Sequence, residues 1–473
     1  MEFESIICIF DSLLLNSLHY WMNLKIKKVS FTMNKNLLFA TFVSALGGFL
    51  FGFDTAVISG TTEFLRPYFG LTDSTLGFTV SIALIGTVIG SIAAGKPGDI
   101  FGRRAILFLC GLFYFISAIG CGTAHNWYIL LSSRFLGGLG IGAASVMAPM
   151  YIAEIAPGRL RGRLVAVTQF NIVAGILVAF FSNYLLVNTG DNNWRWMFAV
   201  MAFPSAVFFL LLFFVPESPR WLVKKGLVDK ARSILQRVGS EHVEAELEDI
   251  INSLKEESGG KSSKLFQKKY RFVIMCAVLL AIFNQLSGIN VIMYYAPLIF
   301  EKTGLATNVA MLNTVAVGVT NLLLTIAAMF FIDRLGRKTL LLIGSVGMFF
   351  SLAGAAVNFY SNTSGGIGIL ICIVGFIASF AFSQGAVIWV FLSEIFPNKV
   401  RSKGQALGSF THWIMNALIA LTFPTVLTRL GGGNAFMFFA VMMVPFFIFV
   451  WKVLPETKGR SLEDLEAFIL SKP

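Results

Sequence analysis

A single carboxylate, Asp54, interrupts the apolar stretch GGFLFGFDTAVISG at 47–60, and a single guanidinium, Arg134, opens a second small-residue stretch, RFLGGLGIG at 134–142. An acid inside a run long enough to cross a bilayer costs roughly a few kcal/mol, so it is expected to face a polar pathway and a partner charge. Arg134 is the expected partner, because Gly137, Gly138, Gly140 and Gly142 would let its helix approach a neighbour closely. Burial penalises the ionised carboxylate and an adjacent guanidinium favours it. A movement that parts the two would let Asp54 take up a proton. The alternative is a static buried ion pair that fixes helix geometry. GLGIGA at 138–143 satisfies a dinucleotide pattern only loosely and follows no strand, which excludes that site. No nucleophile–base set and no metal-ligand spacing occurs, so neither an enzyme nor a cofactor beyond the proton as coupling ion is expected.

The elements that hold these residues are membrane spans. Of 473 residues, 56% are hydrophobic and 13% charged, with mean hydropathy +0.76; soluble chains average about 25% charged. The net charge of +12 is read as basic loops orienting the protein, not as a nucleic-acid surface. The five cysteines show no redox or metal spacing and are expected to be free thiols. A hydrocarbon core of ~30 Å needs about 20 apolar residues of helix. Twelve such segments run at 37–60, 74–95, 105–124, 128–151, 163–187, 195–215, 271–300, 308–332, 339–360, 366–393, 404–428 and 434–454. Twelve Lys and Arg fall in four short loops on one side, against Arg66, Arg195, Lys302 and Arg429 on the other, which predicts a cytoplasmic basic side with both termini there.

The expected fold class is therefore an all-α membrane protein of twelve transmembrane helices. Residues 34–216 and 271–454 form two six-helix bundles, joined by a helical cytoplasmic linker at 217–270 and followed by a tail at 455–473. Residues 1–33 carry charges in the wrong order for a signal peptide and read as an upstream extension before Met33, or as an interfacial anchor. One Asn-x-Ser/Thr triplet, at Asn362, falls in an outer loop. The halves repeat each other: GKPGDIFGRR answers MFFIDRLGRK, AEIAPGRLRG answers SEIFPNKVRS, and PESPR answers PETKG, at offsets of 234, 240 and 239 residues. Two repeated bundles with a site between them at mid-depth are an alternating-access design.

PESPRW at 216–221, the paired Glu-to-Arg loops, GINVIMYYAP at 288–297, RFLGGLGIG and APMYIAE at 148–154 resemble the major facilitator superfamily, and within it the sugar porter family. That family includes bacterial proton–xylose and proton–hexose symporters and animal glucose facilitators, and the resemblance covers residues 36–460. It implies that symporters carry an acid where Asp54 stands and passive facilitators an amide. It also implies an ion-pair network of Asp99, Arg103, Glu154, Arg161, Arg220, Asp333, Arg337, Glu394 and Arg401 that closes the cytoplasmic side and parts as the bundles rock.

A sugar offers hydroxyls all round and no charge, so its site needs neutral groups that donate and accept, and an aromatic ring. Gln169, Asn284, Gln285, Asn290, Asn321, Gly385, Trp389, His412, Trp413 and Asn416 fall in the segments where sugar porters bind sugar. Gln169, Gln285, Asn290 and Trp389 match the family pattern directly. Asn284 stands in place of a second Gln, GAVIW at 385–389 lacks a proline, and His412 stands where Gln or Asn is frequent, so the resemblance does not rank the monosaccharides. Each amide on its own could instead be helix-to-helix glue. The seventh segment is expected to break at Ser287-Gly288 and Pro297, with Tyr294 and Tyr295 as gate residues or as interfacial anchors. The expected function is proton-coupled uptake of a pentose or hexose such as D-xylose or glucose, by a protein that works as a monomer in a lipid bilayer. A facilitative uniporter and a non-transporting sugar sensor are the alternatives.

Overall fold

A computed structural model describes residues 34–157, 160–240, 242–259, 265–361, 366–397 and 400–458. The extension at 1–33, the Asn362 triplet, Cys8, Arg159, Lys399 and residues 459–473 lie outside the described residues. Among the described residues, eleven helices are long and apolar enough to cross a membrane. The last of them, Arg401–Lys452, has 52 residues, about 78 Å at 1.5 Å per residue, more than twice a ~30 Å hydrocarbon core. It turns back at Gly431, whose φ of 80° suits a residue without a Cβ, and so makes two crossings. The chain thus crosses twelve times, and spans are numbered 1 to 12 in that order.

Spans 1 to 6 are Lys35–Gly60, Asp73–Ala93, Arg103–Gly122, Trp127–Ile155, Arg161–Leu186 and Asn193–Phe214. Spans 7 to 10 are Lys268–Glu301, Thr307–Leu335, Arg337–Tyr360 and Ile367–Glu394. Small residues set the closest approaches. A Cβ on Gly138 or Gly142 would strike the backbone of Ala83 or Thr87 in span 2, and one on Gly52 or Gly175 would strike span 5 or span 1 respectively. Bulky side chains such as Phe203, Phe214, Phe330 and Phe350 stay exposed on the outside, as lipid-facing positions do.

Two spans are broken. Span 7 parts at Ser287-Gly288, where φ of Gly288 is 83° and a Cβ would run into the Phe439 ring; a second irregularity, at Tyr295, precedes Pro297. Span 10 parts at Ser383, between helices Ile367–Phe382 and Gln384–Glu394. The break in span 7 was expected; the one in span 10 carries no proline to announce it.

The two halves meet through spans 2 and 11, spans 5 and 8, and the end of span 1 (Ile58–Gly60) against Ile289–Glu301. A Cβ on Gly77 would strike the Leu421 carbonyl, and one on Gly318 would lie 3.0 Å from the Phe180 ring. These contacts lie toward the ends remote from the basic loops, so the halves are closed on that face. On the basic face the linker folds into helices Pro219–Lys224, Val228–Arg237 and Val243–Gly259. They share a small core of Leu222, Ala231, Leu235 and Leu247.

Candidate functional site

Asp54 lies in span 1, one turn before the helix tightens at Ile58–Gly60, and is 3% exposed; Arg134 in span 4 is 2% exposed. The Arg134 Nη1 donates to both Asp54 carboxylate oxygens at 3.2 Å and to its backbone carbonyl at 3.3 Å. One amino group thus serves three acceptors, and Arg134 Nε has no partner among the described residues. The guanidinium also stands 5.8 Å from the Phe198 ring. A small cavity with about 10 Å3 of space for water centres, roughly one molecule, is lined by Asp54, Thr55, Arg134 and Ile141 of one half and Tyr294 of the other.

The polar groups of the second half form a chain around the break in span 7. Asn290 Nδ2 donates to Gln285 Oε1 at 2.7 Å, and Gln285 Nε2 donates to Asn284 Oδ1 at 3.1 Å. The same Nε2 lies 3.2 Å from both ring nitrogens of His412. Trp389 sits with its ring centre 5.0 Å from that of His412 and is 37% exposed, so one face of the cluster is open. Next to it, Trp413 packs on Phe51 of span 1 at 5.7 Å, an aromatic joint between the halves. Asn284 Nδ2 has no partner, leaving a donor free beside the cluster. Gln169 and Asn321 make no side-chain hydrogen bond to a described residue, and Gly385 sits against the Phe380 ring; these three stand apart from the connected set.

The two tyrosines part company. Both are buried, which removes interfacial anchoring as their role. Tyr295 Oη donates to the Ala420 carbonyl of span 11 at 2.8 Å, inside its own half. Tyr294 Oη accepts from Asn416 Nδ2 at 3.0 Å and lines the Asp54 cavity. Tyr294 therefore stands at the boundary between the halves, and Tyr295 is bonded within its own.

On the basic face each half carries its own cluster. Arg103 Nε and Nη2 donate to Glu154 Oε2 and Oε1 at 2.9 and 3.0 Å, and Nη1 donates to Asp99 at 3.0 Å. Arg337 repeats this with Glu394 at 3.2 and 2.8 Å and Asp333 at 3.0 Å. Glu217, from PESPR, accepts from the backbone N–H groups of Arg103, Arg104 and Ser218, and Glu456, from PETKG, accepts from Arg337, Lys338, Thr457 and Lys458. These carboxylates cap the N-termini of spans 3 and 9, which follow left-handed Gly102 and Gly336. Ser218 and Thr457 close each cluster by donating to Glu154 and Glu394.

Burial raises the Glu217 carboxyl above its ordinary 4.5, against the backbone N–H groups and Arg103 that favour its ionised form. Partial burial penalises the Asp99 carboxylate, but Lys224 and Arg103 outweigh it and hold Asp99 below its ordinary 3.8.

The expected members of the network stand as follows in this state. Arg161 is exposed and pairs with no described carboxylate. Arg401 donates to the Phe396 carbonyl at 3.2 Å and not to Glu394, whose oxygens Arg337 and Thr457 already occupy. In this state, closed on the opposite face, the pairs around Asp99, Arg103, Glu154, Asp333, Arg337 and Glu394 each lie within one half. Arg220 opens the short linker helix. Glu217, Ser218, Lys224, Glu456 and Thr457 are the members that sequence reasoning missed. Their signal was the 239-residue repeat of PES and PET, which names an acid but not the N–H groups it would meet.

The sugar (and other) transporter family pattern matches residues 40–468. The D-xylose-proton symporter of Escherichia coli K12 is 38% identical, over 92% of this chain and 96% of that protein. Two structures of the E. coli xylose transporter XylE, each 37% identical, superpose on the chain. The inward-open form covers 91% of this chain and 99% of that one with a TM-score of 0.82, and the form bound to 6-bromo-6-deoxy-D-glucose covers 92% and 99% with 0.75. The better fit to the inward-open form agrees with closure on the face remote from the basic loops. A buried acid–guanidinium pair in one repeat, a chain of amides in the other and matches over nine-tenths of the length lead to one assignment: this chain belongs to the sugar transporter family of the major facilitator superfamily.

Proposed function

We propose that the protein carries a pentose or hexose into the cell together with a proton by alternating access, with its basic face and both termini in the cytoplasm. The observation that carries this reading is the Asp54–Arg134 pair. A carboxylate held by one shared amino group, beside a cavity of about one water's size that reaches the second half, can be released and protonated when the halves move. Asp54 takes the proton and Arg134 tunes its affinity. Asn284, Gln285, Asn290 and His412 supply donors and acceptors for sugar hydroxyls, and Trp389 supplies a ring. Gln169 and Asn321, unbonded here, are proposed to reach the sugar as the halves close on it. Tyr294 connects the two sites, since it lines the proton cavity and holds Asn416 of span 11.

Labelled D-xylose and D-glucose uptake into proteoliposomes, with and without an inward proton gradient, tests this. Asp54→Asn should abolish gradient-driven accumulation while sugar exchange continues, and retained accumulation would overturn symport. Gln285→Ala should weaken sugar binding about tenfold to a hundredfold, as losing a buried amide costs about 1–3 kcal/mol. It should leave the pH dependence in place.

A further inference from the structure

Tyr114, in span 3, is fully buried and its hydroxyl has no hydrogen-bond partner among the described residues. A phenylalanine would fill the same space without stranding an O–H, so packing alone does not account for the oxygen. Its surroundings point to the proton site. The Tyr114 ring lies 3.6 Å from where a Cβ of Gly140 would stand. One turn on, Ser117 Oγ lies 2.5 Å from the corresponding point at Gly137, which is itself 3.5 Å from Asp54 Oδ1. The glycine gap in span 4 thus opens the Tyr114–Ser117 face of span 3 toward Asp54, and Tyr114 lies within electrostatic reach of that carboxylate. Arg134, on the same span as the gap, has a buried Nε–H without an acceptor.

An unused acceptor and an unused donor flank one ion pair. Arginine cannot give up its proton, so when Asp54 becomes neutral and its grip weakens, the guanidinium needs another oxygen. We propose that Tyr114 is a positioning residue of the proton site, whose hydroxyl accepts from Arg134 when Asp54 is protonated and thereby stabilises the proton-loaded state. The other titratable groups near the pair are Cys121 of span 3 and Tyr294 of span 7, while Cys110 neighbours Tyr114. Cys121 is engaged with Ser117, and Tyr294 already spends one lone pair on Asn416, which leaves Tyr114 as the hydroxyl with both lone pairs unused.

The inference rests on Asp54 being the proton site, and its test separates the two. In the full-length protein in lipid, the infrared band of the protonated carboxyl that vanishes in Asp54→Asn reports the Asp54 titration directly. Tyr114→Phe removes one unbonded oxygen and should move that midpoint to lower pH by about one unit, a tenfold loss of proton affinity. An unmoved midpoint overturns the assignment. Sugar exchange in the Asp54→Asn background should be the same with and without Tyr114→Phe. A loss there equal to the loss in the parent makes Tyr114 a packing residue and also overturns it. A shifted titration in a protein whose uptake ignores pH would leave Tyr114 in place and remove the symport reading instead.

Discussion

Arg103 and Arg337 each grip a glutamate with Nε and Nη2 on separate carboxylate oxygens, at 2.8 to 3.2 Å, whereas Arg134 reaches both oxygens of Asp54 through Nη1 alone at 3.2 Å. The fork fixes orientation as well as charge, and a single shared group does not. On the basic face the forked pairs are further closed by Ser218 or Thr457 and by a capping glutamate, so each is a brace. Within span 4 the guanidinium of Arg134 keeps an unused Nε and a cavity at its side. An arginine and a carboxylate thus form a two-pronged contact in one place and a single shared one in the other.

Removing one partner should expose this contrast. Arg134→Ala strands a buried carboxylate and should cost about 3–5 kcal/mol, read as a fall in the unfolding temperature of the purified protein. Asp54→Asn added to it should restore most of that loss. If the double variant is no more stable than Arg134→Ala alone, the two groups are not a pair.

Within the basic face, Arg103→Ala should cost about 2–4 kcal/mol and Arg337→Ala about half of that. The Glu154 side chain left behind is 9% exposed and that of Glu394 is 26% exposed, so water screens the second charge better. Equal losses would show that exposure does not govern the two repeats.

The smallest effect belongs to the linker. Lys224 meets Asp99 at 3.0 Å, with side chains 43% and 50% exposed, and Lys224→Ala should cost under about 1 kcal/mol. Because Asp99 titrates below its ordinary 3.8, the stability it lends is present above that value and is lost as pH falls through its lowered one. Acid unfolding should therefore begin at a higher pH in Lys224→Ala, and superimposable acid limbs would remove the linker from the clamp.

Much of the site could be read before any coordinates. Asp54 and Arg134 are conspicuous because charge in an apolar span is costly, and few such residues exist to be matched. The amides of span 7 and His412 stood out for the same reason, but their mutual bonds did not. Gln285 meets His412 across 127 positions of sequence, a contact that no local spacing announces. The partner of Arg401, the Phe396 carbonyl, was not legible either, because a repeat fixes position along the chain and not what a side chain meets. Counting 236 residues on from Asp54, an offset inside the 234 to 240 of the repeated motifs, reaches Asn290, an amide where the first half has an acid.

The sequence by itself determined the membrane setting, the twelve crossings, the two-fold repeat and the two opposite charges that stand inside apolar spans. Hydrocarbon thickness and the cost of buried charge act on composition and segment length, which are local properties. Only the tertiary structure decided that the basic-face pairs lie within single halves, that Glu217 and Glu456 cap helix starts, and that Tyr294 lines the cavity beside Asp54 and Arg134. It also decided that the Asp54–Arg134 grip is loose. Those outcomes depend on which donors and acceptors distant helices bring within about 3 Å, where hydrogen-bond energy falls off steeply with angle and distance.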